Sequence, residues 1–253
     1  MNPSIVGFVV FTVAMSGALF GLWLAKRIPD HELDSHSRDS IKLAVGLIAT
    51  MTALVLGLVT ASAKSTFDSL TDAVKTSASD LLTLDRTLAR YGPEAEQIRA
   101  NLRRAAEIRR DMTWPSDSSA ASRQDVLQQA SGTEEIGNQI LALVPADAVQ
   151  TELKGRAVAH AERMLEARWF LVSGKSSSVP LPFLVVLILW IAVSFTIYGV
   201  LSPSNRTVIS AFAACALSVG TAMFLILEMD GPFAGVLTVS GDPWRRAVEQ
   251  LGS

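Results

Sequence analysis

Four long apolar stretches, placed in two pairs around a polar middle, constrain this chain more than any other feature of its sequence. They are residues 4–25, 41–61, 181–201 and 207–227. None of them contains Asp, Glu or Arg, and Lys42 lies only at the edge of the second. A helix rises about 1.5 Å per residue, so about 20 apolar residues cross a bilayer, and a helix satisfies its backbone polar groups within the segment. The sequence therefore predicts an all-α, polytopic membrane protein with four transmembrane helices.

The first apolar stretch is predicted to be a retained transmembrane helix and not a cleaved secretory signal. A secretory signal carries positive residues before its apolar run. Here Lys26 and Arg27 follow the run instead, and the run is long enough to span a membrane.

The polar middle is predicted to form a helical extramembrane bundle inserted between transmembrane helices 2 and 3. Apolar residues recur there at three- and four-residue steps, which is typical of amphipathic helices, and no alternating strand pattern occurs. A Gly-Pro pair at residues 92–93 separates the first of these helices from the second. The predicted parts are transmembrane helices 1 and 2, the bundle, a transmembrane hairpin and a C-terminal tail, at residues 1–61, 62–180, 181–227 and 228–253.

Composition argues against several classes of function. A net charge of −2 over 253 residues gives no reason to expect nucleic-acid binding. The single cysteine, Cys215, excludes an intrachain disulfide, and we expect it to be a small packing residue. Motifs of hydrolases, phosphate-binding loops and zinc proteases are missing from the sequence. We therefore expect no enzyme and no cofactor.

Several potential metal ligands lie in the loop between the first two spans. His31, Asp34, His36 and Asp39 are close in sequence, but no second cluster completes a ligand set. We therefore predict no metal site. His160, within the last predicted helix of the bundle, is expected to be a surface residue.

The second apolar stretch carries a stripe of small and hydroxyl-bearing residues on one helix face. One interpretation is close packing of membrane helices, because small residues let backbones approach. The other is a narrow ion pathway, in which threonine hydroxyls and a terminal lysine favour an anion. Both interpretations can hold in an oligomer whose axis is lined by this face. The stripe consists of Gly46, Thr50, Ala53, Gly57, Thr60 and Lys64.

Two other patterns of small residues in the spans are interpreted as helix packing. Gly17 and Gly21 form a Gly-x-x-x-Gly pattern in the first span, and Ala214 and Ser218 form a weaker version in the fourth.

Two acidic residues lie at the bilayer edge after the fourth span. Glu228 and Asp230 are placed to accept backbone amides, to bind a cation or to take part in gating. The alternative is an ordinary polar helix end with a Gly-Pro stop, and composition alone favours that alternative.

The same region resembles the bacterial bestrophin-like domain family of unknown function. That family has four spans, a helical insert after the second, and an Asp-x-Pro-Phe-x-Gly element after the fourth. The run at residues 46–57 and the segment at residues 84–93 are also similar to the family, so the resemblance covers nearly the whole chain. The residues that match the element are Asp230, Pro232, Phe233 and Gly235.

The resemblance implies a pentameric channel for small anions such as chloride, in the bacterial inner membrane. It also implies that the bundle and both termini lie in the cytoplasm, which the nearly balanced positive charges near the span ends do not decide. This chain departs from bestrophins proper in two ways. They narrow the pore with bulky residues on the second span, where this chain has small ones. They bind calcium with an acidic cluster after the last span, and here Glu228, Asp230 and Asp242 are its nearest equivalents.

The stripe and the resemblance together predict a homo-oligomeric channel in the lipid bilayer. The second span would line the anion pathway, and Lys64 would concentrate anions at its cytoplasmic mouth. The alternative is a membrane-anchored sensory or interaction protein without transport activity, in which the Arg-rich segment 99–110 binds a partner or anionic lipid. A proton-coupled transporter is disfavoured, because no ionisable residue lies in the middle of a span.

Overall fold

The computed structural model describes residues 2–29, 34–114, 123–173, 181–231 and 235–252, and within these ranges its regular structure is entirely helical. A short 3-10 turn, Pro93–Ala95, joins the second and third helices. The helices are α1 Pro3–Ala25, α2 Ser35–Tyr91, α3 Glu96–Thr113, α4 Arg123–Ala142, α5 Ala148–Ser173, α6 Leu181–Leu201, α7 Arg206–Asp230 and α8 Asp242–Glu249.

Four of these helices, α1, α2, α6 and α7, are long and apolar enough to cross a membrane. Each of them contains one of the four apolar stretches, so the predicted all-α fold with four membrane-capable helices is confirmed. Two of them begin at asparagine caps. The side chain of Asn2 accepts from the Ser4 amide at 3.1 Å, and that of Asn205 accepts from the Val208 amide at 2.8 Å. Such caps satisfy amides that have no partner within the first turn of a helix.

α2 is much longer than a membrane requires. It continues without a break from Ser35 to Tyr91, beyond the apolar stretch that ends at residue 61. It ends where glycine and proline follow, because Gly92 adopts φ +129° and proline cannot continue the backbone hydrogen bonding.

The chain divides into two compact units. The first unit comprises Met1–Phe67 and Ser177–Leu237 and contains the membrane-capable segments. Within it, α1 packs against both α6 and α7. The buried apolar side chains of this unit are Val6, Val10, Ala14, Val59, Ala63, Leu184, Leu187, Ile191, Ala216, Met223 and Ile226.

Glycines bring α1 into close contact with α6. A Cβ on Gly17 would lie 3.0 Å from the Ala192 carbonyl oxygen, and one on Gly21 would overlap the Thr196 carbonyl. Across the same interface, Gly199 faces the backbone of Ala18. The interpretation of Gly17 and Gly21 as packing positions is therefore confirmed, and the reason is backbone proximity that any side chain would prevent.

The fourth span uses other residues for packing than the sequence suggested. Ala214 and Ser218 are exposed on the chain, and Cys215 is exposed as well. Within one chain these three residues are therefore not packing positions, and their predicted role in packing is not tested by a single copy. α7 instead contacts α1 through Gly220, where a Cβ would lie 2.9 Å from the Gly7 carbonyl oxygen.

The second unit comprises Asp68–Ser176 and Thr238–Ser253. Its core combines the C-terminal part of α2 with α3, α4, α5 and α8. α8 is amphipathic, and its Trp244, Ala247 and Val248 are buried in that core. The end of the chain is therefore part of this unit, although the sequence suggested only a tail.

Candidate functional site: the exposed face of α2 and the loop after α7

The predicted stripe on α2 lies on the surface of the chain. Gly46 is half-buried, and the other five stripe residues, from Thr50 to Lys64, are exposed. A Cβ on Gly46 or on Gly57 would meet no atom within 4 Å. These glycines differ in this respect from Gly17 and Gly21, which contact backbone atoms of α6. Within one chain, the stripe is therefore not a packing seam.

The stripe lies between two other faces of α2. On one side, Val45, Val59 and Ala63 are buried against the chain itself. On the other side is a row of leucines, of which Leu43 is 77% exposed and Leu54 is 73% exposed. With 3.6 residues per turn, these three sets occupy different sectors of the helix.

α2 is the least covered of the four membrane-capable helices. Inside the chain, 11% of its most apolar window is buried, compared with 39% for α1. Both the stripe and the leucine face are therefore available to lipid or to other copies of the chain.

The stripe hydroxyls are directed to their own helix. Thr50 donates to the Leu47 carbonyl oxygen at 2.8 Å, and Thr60 donates to the Leu56 carbonyl oxygen at 2.7 Å. These protons would reach a ligand only after rotation about χ1, which is easy for an exposed side chain. In this conformation, the positive charge of Lys64 is the feature of the stripe that most favours an anion.

The loop after α7 is fastened by an acidic residue. Glu228 is 4% exposed, and its Oε2 accepts from the Val236 amide at 2.7 Å and from the Leu237 amide at 3.2 Å. A carboxylate that accepts two backbone amides is well suited to holding a loop. Of the roles considered for Glu228, the structure therefore supports acceptance of backbone amides.

Gly235 makes this arrangement possible. Its φ is +114°, and a Cβ at this position would overlap the Glu228 carboxylate. Asp230 is half-buried at the end of α7. The remaining residues of the Asp-x-Pro-Phe-x-Gly element, Pro232 and Phe233, lie outside the described residues. In the part of the chain that the structure describes, no group of three His, Cys, Asp or Glu side chains is arranged to hold a metal ion.

Replacing Gly235 with alanine is expected to detach this loop from Glu228. The substitution places a Cβ in a left-handed conformation that costs about 1–3 kcal/mol, in addition to the overlap with the carboxylate. We expect hydrogen exchange at the Val236 and Leu237 amides to become at least about tenfold faster. Gly46→Ala is the control, since its Cβ meets open space. Unchanged exchange in Gly235→Ala would contradict the proposed role of this glycine.

Comparison with known families adds an independent observation. A family model of the bestrophin-like domain matches residues 12–244 of the 253-residue chain. The chain belongs to the bestrophin-like family. The match includes the stripe on α2 and the loop held by Glu228, and it extends to Trp244 in α8. No curated protein and no solved structure matches the chain.

In this bestrophin-like protein, the arginines of α3 are mostly engaged within the chain. Arg99 donates to both carboxylate oxygens of the buried Asp85, through Nε at 2.9 Å and Nη2 at 3.1 Å. Because Arg99 donates to the Asp85 carboxylate, its pKa is raised. Arg103 pairs with Glu107 at 3.1 Å. The segment is therefore not a uniform basic surface of the kind that binds anionic lipid.

Two further residues of the bestrophin-like chain differ from their predicted placement. Arg109, which belongs to the Arg-rich segment considered for partner or lipid binding, is buried. His160 is half-buried, with its Nδ1 2.8 Å from Oδ1 of Asp80, so the expectation of a plain surface residue is wrong. Arg163 donates to the same Asp80 oxygen at 3.2 Å. Both environments form only when α2, α3, α5 and α8 pack together.

Proposed function

We propose that this bestrophin-like protein is a homo-oligomeric channel for small anions such as chloride, with α2 lining the pathway. The observation that supports this proposal is the position of the stripe. The stripe is exposed, and it lies between a face of α2 that is buried in its own chain and a row of exposed leucines. A helix in a ring around a pore needs this order of faces. One side contacts its own subunit, the opposite side contacts a neighbour, and the sector between them faces the axis.

Charge supports an anion as the permeating species. Lys64 lies at one end of the stripe, and Lys42, which pairs with Asp39 at 3.0 Å, is exposed near the other end. The intervening stripe residues are uncharged. Positive side chains at a pore mouth raise the local concentration of anions. The proposed function is therefore that of a channel and not of an enzyme.

The proposed assembly and orientation rest on the resemblance to bestrophins and are part of the proposal. Bestrophins imply a pentamer in the bacterial inner membrane, with the second unit and both termini in the cytoplasm. In this arrangement, the second unit is an extramembrane bundle inserted between the second and third spans. Imaging of the purified particle tests the assembly. A fivefold axis ringed by α2 supports it, and a monomer contradicts it.

Reversing the charge of Lys64 is expected to reduce chloride conduction several-fold. Lys64→Glu replaces the attraction of anions at the pore mouth with repulsion. In a salt gradient, the reversal potential should therefore shift away from the chloride equilibrium potential and towards that of the cation. The measurement is planar-bilayer recording of the purified full-length protein. Arg86→Glu is the control, because Arg86 is also exposed on α2 but lies 22 residues further along the helix (86 − 64). Absence of chloride current in the wild type, or equal currents in Lys64→Glu and the wild type, would contradict the proposal.

The sensory or interaction alternative makes a different prediction for the same recordings, namely no current at all. Deletion of residues 93–143, which contain the Arg-rich segment, would be another way to compare the two functions, but it would not separate them cleanly. That segment includes Ile98, Leu102, Ile136 and Ile140, which are core residues of the second unit. Point substitutions on α2 are therefore the sharper test.

A further inference from the structure

The core of the second unit contains a small cavity beside a buried arginine. The cavity has a volume of about 20 Å³. Its lining is apolar and aromatic except for Arg109, which is 8% exposed. Leu84, Leu102, Ile136, Met164 and Trp244 provide most of the remaining surface.

The charge of Arg109 is not balanced by a carboxylate in the described part of the chain. Its Nη1 is buried and has no hydrogen-bond partner there, and no ion pair of Arg109 occurs among the described residues. The guanidinium carbon lies 4.5 Å from the centre of the Trp244 ring. This cation–π contact covers one face of the guanidinium but leaves the N–H groups of Nη1, which lie in its plane, without an acceptor among the described residues.

The surroundings of Arg109 destabilise its positive charge. Burial lowers the pKa of Arg109 to about 10, and repulsion by Arg168 contributes in the same direction. The side chain is nevertheless protonated at neutral pH. A buried cation is stable when an anion accompanies it, and the described side chains around it provide none.

The size and lining of the cavity restrict which species can lie beside the Arg109 guanidinium. A buried water needs two to four polar partners, whereas this lining offers donors from a single guanidinium. An oxyanion such as phosphate needs donors for several oxygens and more room than one water-sized space. A monatomic anion needs only one or two N–H donors and tolerates apolar contacts on its other sides.

We propose that this cavity binds a monatomic anion of the halide class, held by Nη1 of Arg109 beside the Trp244 ring. The site lies in the core of the second unit and is distinct from the stripe on α2. It does not depend on whether the membrane helices conduct ions. Binding there would couple the stability of the unit to the halide concentration.

Thermal unfolding of the detergent-solubilised full chain tests the proposal. Sodium chloride is exchanged for sodium gluconate at constant ionic strength, since gluconate is too large for the cavity. Chloride at ten times its dissociation constant should raise the ratio of folded to unfolded protein about tenfold, with saturation at higher concentration. Arg109→Met should abolish this dependence. Arg104→Met, which removes an exposed arginine of the same helix, should retain it.

A second measurement uses only the wild-type chain, in case Arg109→Met does not fold. Chloride should slow hydrogen exchange in α3 and α8, the helices that carry Arg109 and Trp244, and gluconate should not. Absence of chloride-dependent protection in these helices would overturn the proposal. So would stabilisation by sulfate that exceeds that by chloride and disappears in Arg109→Met, because it would indicate an oxyanion site. Equal unfolding temperatures in chloride and gluconate would also overturn the proposal, because they would show that the cavity beside Arg109 and Trp244 binds no chloride.

Discussion

Gly21→Leu is expected to prevent α1 from packing against α6, whereas Gly57→Leu should leave the chain folded. At Gly21, even a Cβ would overlap the Thr196 carbonyl group, and it would also lie 2.9 Å from the Val200 amide nitrogen. Backbone atoms cannot rotate away as side chains do, so the helices must separate. Overpacking of a core typically costs about 1–3 kcal/mol, and a whole leucine against backbone should exceed this range.

Gly57→Leu is a matched control, because the same substitution in another membrane-capable helix meets open space within the chain. Its effect on the folding of one chain should be about 0.5 kcal/mol or less. The measurement is the yield of monodisperse protein in detergent, together with resistance to proteolysis. Gly21→Leu should aggregate or be degraded, and Gly57→Leu should purify like the wild type. Normal purification of Gly21→Leu would contradict the close contact between Gly21 and the backbone of α6.

The same pair of variants also bears on the channel proposal. If the stripe lines an anion pathway, a folded Gly57→Leu protein narrows it with a bulky side chain on each subunit. Chloride current should then fall at least about tenfold, without loss of assembly. An unchanged current in an assembled Gly57→Leu protein would show that Gly57 does not line the pathway, and it would not contradict the fold.

Trp244→Ala is expected to destabilise the second unit by about 3–5 kcal/mol, the usual cost of truncating a large buried aromatic side chain. Trp244 is 1% exposed, and its Nε1 donates to the Ala106 carbonyl oxygen of α3 at 3.1 Å. Its ring also covers the Arg109 guanidinium. The substitution therefore removes apolar contacts and a hydrogen bond, and it leaves a buried cation without its aromatic neighbour.

The corresponding control is Trp169→Ala on α5, because Trp169 is 60% exposed. The measurement is denaturant unfolding, with hydrogen exchange to locate the change. Trp244→Ala should accelerate exchange in α8 and in the part of α3 around Ala106, and Trp169→Ala should change neither. Equal effects of the two substitutions would contradict the packing of α8 in this core.

The four membrane-capable helices could be predicted because their determinants are local. About 20 consecutive apolar residues suffice to define a span, whatever surrounds them. The end of α2 at Tyr91 was also predictable, since glycine and proline follow it directly. α8 was missed, although its buried residues Trp244 and Val248 are four residues apart, at helical spacing. An eight-residue helix is unstable alone, and its stability comes from packing.

The candidate site shows the same division between local and tertiary information. The sequence placed Gly46 and Gly57 on one face of α2, but it did not distinguish them from the glycines of α1. Only the structure showed that Gly17 and Gly21 contact a neighbouring helix while Gly46 and Gly57 face open space. Likewise, the sequence left several roles open for Glu228, and the folded loop provides the two backbone amides that donate to its carboxylate.

By itself, the sequence determined that this chain is helical, has four membrane-capable segments and carries a small-residue stripe ending at Lys64. These properties depend on composition and helical period within single segments. The tertiary structure decided which small residues are covered, which arginine is buried and which acidic residue fastens a loop. Those outcomes depend on contacts between residues far apart in the chain, such as Arg109 with Trp244, and no periodicity within one helix encodes them.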